Sequence, residues 1–179
     1  MNLPNKITMI RVMMIPFFVF FISTELFGGA GRWIALVIFC VASFTDYLDG
    51  HLARKNNCIT SFGKFMDPLA DKLLVGAALI CLVGLNLIEA WIVVVIIARE
   101  FIISGFRLVA SDKGIVIAAS IWGKIKTVVQ IIMIIVLIAD FGGIFDYLGV
   151  ILIWASLILT IISLVDYVYK NRQILSYKN

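Results

Sequence analysis

The sequence predicts an all-α integral membrane protein whose six transmembrane helices form a polar active-site cavity open to the cytoplasmic side. Three observations carry that expectation. Of the 179 residues, 63% are hydrophobic and 15% charged, against roughly 45–50% and about 25% in a soluble domain. The apolar residues fall into six stretches, each near the ~20 residues needed to cross a hydrocarbon core of ~30 Å. The charges inside those stretches gather toward one end of the bundle. Length allows a single membrane domain over residues 1–179, with no soluble module expected at either end.

In chain order, the first span is expected over Ile7–Ser23 and the second over Trp33–Leu52. The third covers Phe65–Leu85, the fourth Ile88–Leu108, the fifth Val116–Ala139 and the sixth Tyr147–Tyr169. The breaks between them carry turn residues: Phe27-Gly28-Gly29-Ala30-Gly31, Lys55-Asn56-Asn57-Cys58, Gly84-Leu85-Asn86, Ser111-Asp112-Lys113-Gly114 and Phe141-Gly142-Gly143. The opening Met1-Asn2-Leu3-Pro4-Asn5-Lys6 lacks the pattern of a cleaved leader, so the first span is expected to remain in the mature protein. Pro68 is expected in the first turn or so of span three, where proline is best tolerated.

Basic residues set the orientation. Fourteen of the 15 lie on the side of the termini or in the adjoining halves of the spans, leaving Arg32 alone opposite. Glu25, Glu89, Asp140 and Asp146 occupy the opposite loops. The positive-inside rule therefore puts both termini on the cytoplasmic side. The net charge of +4 belongs to this asymmetry and to anionic headgroups, and requires no nucleic-acid partner. Cys40, Cys58 and Cys81 show no paired spacing and read as small apolar filler.

Four aspartates interrupt the apolar pattern. They read Asp46-x-x-Asp49-Gly50-x-x-Ala53-Arg54, eight residues, then Gly63-x-x-x-Asp67-x-x-x-Asp71. Each pair projects from one face of its helix, and two antiparallel helices joined by a short loop bring all four to one depth. Unpaired carboxylates near lipid cost several kcal/mol each, so something must compensate them. Oxygen-only ligands suit Mg²⁺ or Mn²⁺ rather than Zn²⁺, and His51 is the only histidine. Such cations can bridge a diphosphate, and four carboxylates exceed what one ion needs, leaving one free as a general base. The competing reading is an ion-pair network with Arg54, Lys64 and Lys72; it gives no role to Gly50 and Gly63.

The motif resembles the signature of the CDP-alcohol phosphotransferase family at all eight fixed positions, within 26 residues. Further segments resemble the bacterial branch that condenses CDP-diacylglycerol with sn-glycerol 3-phosphate and releases CMP. They are Asn2–Thr8 with Arg11, Phe62–Lys72, Ala98–Arg107 and Gly123–Thr127. The resemblance implies that Asp46, Asp49, Asp67 and Asp71 hold a pair of Mg²⁺ or Mn²⁺ ions, with Asp71 also the base. It implies a CDP-diacylglycerol site of Asn5, Thr8, Asp46, Asp49, Gly50, Ala53, Arg54, Gly63 and Asp67, and a homodimer among membrane lipids.

A glycerol 3-phosphate dianion also needs cations. Arg107, Arg99, Lys124 and Lys126 lie in the cytoplasmic halves of spans four and five, where an isolated charge is costly. Arg107 leads because a guanidinium grips phosphate bidentately. Arg99 has a rival reading as a partner of Glu100 or of a motif aspartate. Lys124 and Lys126 are two apart and do not share a helix face, so one is expected inward and the other solvated. Phosphatidylglycerol or inositol phosphate are alternative acceptors. A cation channel is the alternative from another class; it leaves the glycines and the Ala-Arg element without a role.

Overall fold

The computed structural model describes the backbone of residues 3–56, 61–112 and 120–171. Those residues are helical throughout, with no strand among them: α1 (Leu3–Ser23), α2 (Gly29–Asn56), α3 (Ser61–Gly84), α4 (Ala90–Asp112), α5 (Ile121–Ala139) and α6 (Ile144–Lys170). A 3₁₀ turn over Glu25–Phe27 links α1 to α2. Each expected span overlaps one helix, and residues 116–119 of the fifth lie outside the described residues. Because α3 starts at Ser61, Pro68 stands about two turns inside it rather than in the first turn.

Two helices, α5 and α6, meet the length and apolarity of a membrane span by themselves; Thr8–Ser23 and Gly29–Thr45 are shorter apolar stretches. The charges of α3 and α4 dilute their apolar signal. Only 33% of the apolar window of α6 is buried. The rest of the apolar surface points outward, with Ile151, Trp154, Ile158 and Val165 all exposed, which suits a lipid solvent rather than water.

The chain divides into two compact units, Met1–Leu87 with Leu137–Asp140, and Ile88–Val136 with Phe141–Asn179. In the first, α1 packs against both α2 and α3. Buried small residues let the helices approach closely: Ala35 and Ala42 on α2, Ala70 and Ala78 on α3. Phe18 and Phe39 fill the space between α1 and α2, their ring centroids 5.9 Å apart. Ala70, Leu74, Ala78 and Leu82 form a buried stripe at four-residue spacing along α3. At the opposite end from the aspartates, Arg32 is ion-paired with Asp140.

Turn chemistry ends the helices where the sequence signals it. Leu87 N–H donates to the Leu82 carbonyl at 3.0 Å and Asn86 N–H to Val83 at 2.9 Å, with Asn86 at φ 57. That pair of bonds around a left-handed residue is a Schellman cap. Between α1 and α2, Gly31 is required by a close approach: a Cβ there would stand 2.9 Å from the Phe21 carbonyl oxygen.

In the second unit α4 packs on α6. Trp91 meets Trp154 at 6.2 Å and Phe106 meets Tyr167 at 6.4 Å, so the two helices run parallel. That register puts Arg99 and Glu100 level with Thr160 and Ser163, which are buried on α6 together with Ser156.

Gly31→Ala should test the hairpin. Alanine gains roughly 0.5–1 kcal/mol of helix propensity. Forcing a methyl against backbone costs about 1–3 kcal/mol. The net expectation is a lower midpoint of thermal unfolding in detergent.

Candidate active site

Asp46 and Asp49 stand on α2, Asp67 and Asp71 on α3. The Asp71 side chain is half-buried and engaged in an interaction. The side chains of Asn5, Asp46, Asp49, Gly50, Ala53, Arg54, Gly63 and Asp67 lie outside the described residues, although their backbone is helical. Among the described residues no three metal-ligating side chains cluster.

Helix register nevertheless shows which positions share a level. α1 and α2 run antiparallel through the Phe18–Phe39 contact. Seven residues back along α1 and seven forward along α2, Arg11 is level with Asp46; three further on, Thr8 is level with Asp49. Ser23 Oγ touches Cys81 Sγ at 3.9 Å, where α1 and α3 run side by side in one direction. Twelve residues back along both, Arg11 is level with Leu69, between Asp67 and Asp71 by ~3 Å each way at ~1.5 Å per residue. By the same step Thr8 is level with Met66 and Asn5 with Gly63. All four aspartates, Asn5, Thr8 and Gly63 therefore occupy two or three turns at one end of the first unit.

Thr8 and Arg11 are each 1% exposed and lie on one face of α1. A guanidinium buried this deeply is costly unless countercharge surrounds it. In the first unit Glu25 and Asp140 stand at the far end, so the carboxylates at the level of Arg11 are those of the motif. Arg11 thus supplies positive charge to the layer that carries Asp46 and Asp71. Its signal in the sequence was a single arginine inside an otherwise apolar span.

The four candidate acceptor cations belong to the second unit, and burial sorts them. Lys126 is 1% exposed and Arg99 8%, whereas Lys124 and Arg107 are exposed. Lys126 is therefore the inward lysine and Lys124 the solvated one. Arg99 Nη1 donates to Glu100 Oε1 at 2.7 Å, and Lys126 Nζ donates to the same oxygen at 2.6 Å. The pairing of Arg99 with Glu100 is thus observed. Arg107 stands over the Tyr167 ring with its guanidinium carbon 5.9 Å from the centroid, a cation–π contact that orients the charged end of the side chain.

Three further polar residues of this unit escaped the sequence reading. Gln130 Nε2, Ser156 Oγ and Tyr167 Oη are buried without hydrogen-bond partners. Asp166, by contrast, pairs with Lys170 at 2.7 Å.

The described residues thus form apolar helices, with the motif's four aspartates at one end of α2 and α3 and a buried cation pair on α4 and α5. The chain belongs to the CDP-alcohol phosphatidyltransferase family, whose family model matches residues 1–162. It is 41% identical to a Bacillus subtilis CDP-diacylglycerol–glycerol-3-phosphate 3-phosphatidyltransferase over 99% of each chain. It is 38% identical to a protein of the same name from Rickettsia felis, over 90% of this chain and 91% of that one. A probable phosphatidylglycerophosphate synthase of Mycobacterium tuberculosis is 40% identical over 94% of this chain and 81% of its own.

The two lysines give a direct test. Lys126→Met leaves Glu100 with one cation instead of two and should lower stability by roughly 2–4 kcal/mol, somewhat below the cost of leaving a buried charge with no partner. Lys124→Met, on the exposed face, should stay within about 0.5 kcal/mol. Thermal unfolding of the two purified variants checks both.

Proposed function

We propose that this protein transfers the phosphatidyl group of CDP-diacylglycerol to sn-glycerol 3-phosphate, giving phosphatidylglycerophosphate and CMP. The observation that carries the reading is the shared level of Asn5, Thr8, Gly63 and the four aspartates on three packed helices. The names of relatives matched over nearly the whole chain support the same donor and acceptor.

In this reading six helices cross a bacterial cell membrane with both termini cytoplasmic, and the polar cavity opens to the cytosol and the inner leaflet. The residues of the motif fit a pair of hard divalent ions, since all four donors are carboxylates on helices that bring them to one level. Bound there, Mg²⁺ or Mn²⁺ would neutralise the diphosphate and the charge that develops on the departing phosphate.

The protein's own groups do the remainder. Asn5, Thr8, Gly50, Ala53, Arg54 and Gly63 hold the cytidine diphosphate. Arg107 and Arg99 hold the acceptor's phosphate, with Lys126 behind them. Asp71 takes the proton of the acceptor hydroxyl as its oxygen attacks the β-phosphorus; the new P–O bond forms as the bond to CMP breaks. Small buried alanines on α2 and α3 keep the helices close and water out of the layer below. A homodimer completes the proposal.

Two measurements test it. Purified protein should convert radiolabelled glycerol 3-phosphate into chloroform-soluble product only with Mg²⁺ or Mn²⁺, and full turnover in excess EDTA after metal stripping would refute the metal site. Asp71→Asn should lower kcat by about 10²–10⁴ while CMP binding survives in part. Near-wild-type kcat would remove Asp71 as the base.

A further inference from the structure

Glu100 carries none of the roles assigned so far, yet both buried cations of the second unit converge on it. A single oxygen, Oε1, accepts from Arg99 Nη1 and from Lys126 Nζ. Adjacent residues on a helix do not face each other. The contact therefore fixes the long Arg99 side chain in one of many available conformations.

Which donors remain decides what Arg99 can bind. With Nη1 taken by Glu100, the side-on edge made by Nε and Nη2 is left, and it is an edge that can grip two oxygens of a phosphate in parallel. Nε is buried and has no hydrogen-bond partner. Nη2 faces Gly123, where a Cβ would stand 3.4 Å from it. Lys126 is held by Glu100 and acts through it. Two cations sharing one anion leave a single positive charge, and exposed Arg107 adds another. A phosphate monoester carries close to two negative charges at neutral pH.

We infer that Glu100 is a positioning residue for acceptor recognition: it turns the Nε–Nη2 edge of Arg99 toward the acceptor's phosphate, and the missing side chain of Gly123 keeps that edge open. The inference rests on the reading of glycerol 3-phosphate as acceptor. It opposes a simpler role in which Glu100 competes with the phosphate for the same cations. The two roles predict opposite signs. A positioning carboxylate strengthens acceptor binding, so its loss raises KM; a competitor weakens binding, so its loss lowers KM.

The experiment measures kcat and KM for each substrate, with the unfolding midpoint, in full-length Glu100→Gln, Glu100→Asp and Gly123→Ala. Glu100→Gln should raise the KM for glycerol 3-phosphate about tenfold, equivalent to ~1.4 kcal/mol, with the KM for CDP-diacylglycerol nearly unchanged. Glu100→Asp, which keeps the charge, should recover part of the loss. Gly123→Ala adds a methyl at ordinary contact distance and favours helix. It should raise the same KM without lowering the unfolding midpoint.

A fall in KM in Glu100→Gln makes Glu100 a competitor and overturns the inference. So does a parallel rise of both KM values with a lower unfolding midpoint, which is the mark of a structural role. If Glu100→Gln fails to fold, Gly123→Ala decides, and an unchanged KM there overturns it. Wild-type protein that yields lipid product from another alcohol but none from glycerol 3-phosphate refutes the acceptor reading instead. The edge assignment then falls if that alcohol bears no phosphate, and is read by the same KM shifts if it does.

Discussion

Placing one charged side chain at the level of a hydrocarbon core costs about 2.5–3.5 kcal/mol on insertion scales, and this chain sets many charges in apolar helices. Asp46, Asp49, Asp67 and Asp71 in one unit, and Arg99, Glu100 and Lys126 in the other, all interrupt apolar helices. That cost organises the rest of the structure. A helix carrying such a charge must turn it toward countercharge, which leaves apolar side chains on its opposite face. Exposed Val37, Val41 and Phe44 on α2 and exposed Ile80 on α3 lie opposite their buried stripes.

The two units solve the problem differently. In the first, Arg11 is buried at the level of four carboxylates, and Arg54, Lys64 and Lys72 stand in the motif or next to it. Divalent ions would add positive charge to the same layer. The second unit gathers its charges around one carboxylate. Glu100 stands against Arg99 and Lys126, and the surplus is positive.

Much of this was legible in the sequence because two signals are strong. Apolar runs near the membrane thickness, broken by Gly-Gly and by Gly-Leu-Asn, located all six helices, and Asn86 closes α3 in the left-handed conformation that asparagine tolerates. The 26-residue motif marked the four aspartates, which fall at one end of α2 and α3. Other features left no local trace. Whether Lys124 or Lys126 points inward depends on how α5 meets α4, and spacing alone says only that they differ. The role of Glu100 was hidden for the same reason: its partner Lys126 is 26 residues away in the chain. Pro68 went astray because α3 begins a turn earlier than its apolar run, over Ser61–Lys64, where polar residues mask the helix start.

The sharing of one carboxylate oxygen by two cations also bears on specificity. A bare pair of buried cations would attract any anion, including the headgroups that surround a membrane protein. By occupying Nη1 of Arg99 and holding Lys126, Glu100 lowers the general attraction and leaves one directed edge. Direction rather than charge then discriminates, since a planar fork rewards two oxygens on one phosphorus and gives little to a hydroxyl or an amine. The exposed Arg107, stacked on Tyr167, adds charge without enclosing it. An acceptor with a terminal phosphate monoester satisfies both guanidinium groups, whereas a phosphodiester between two lipid tails offers fewer oxygens and one charge less. On this argument the geometry of α4 and α5 favours a small phosphorylated polyol over a whole phospholipid as acceptor.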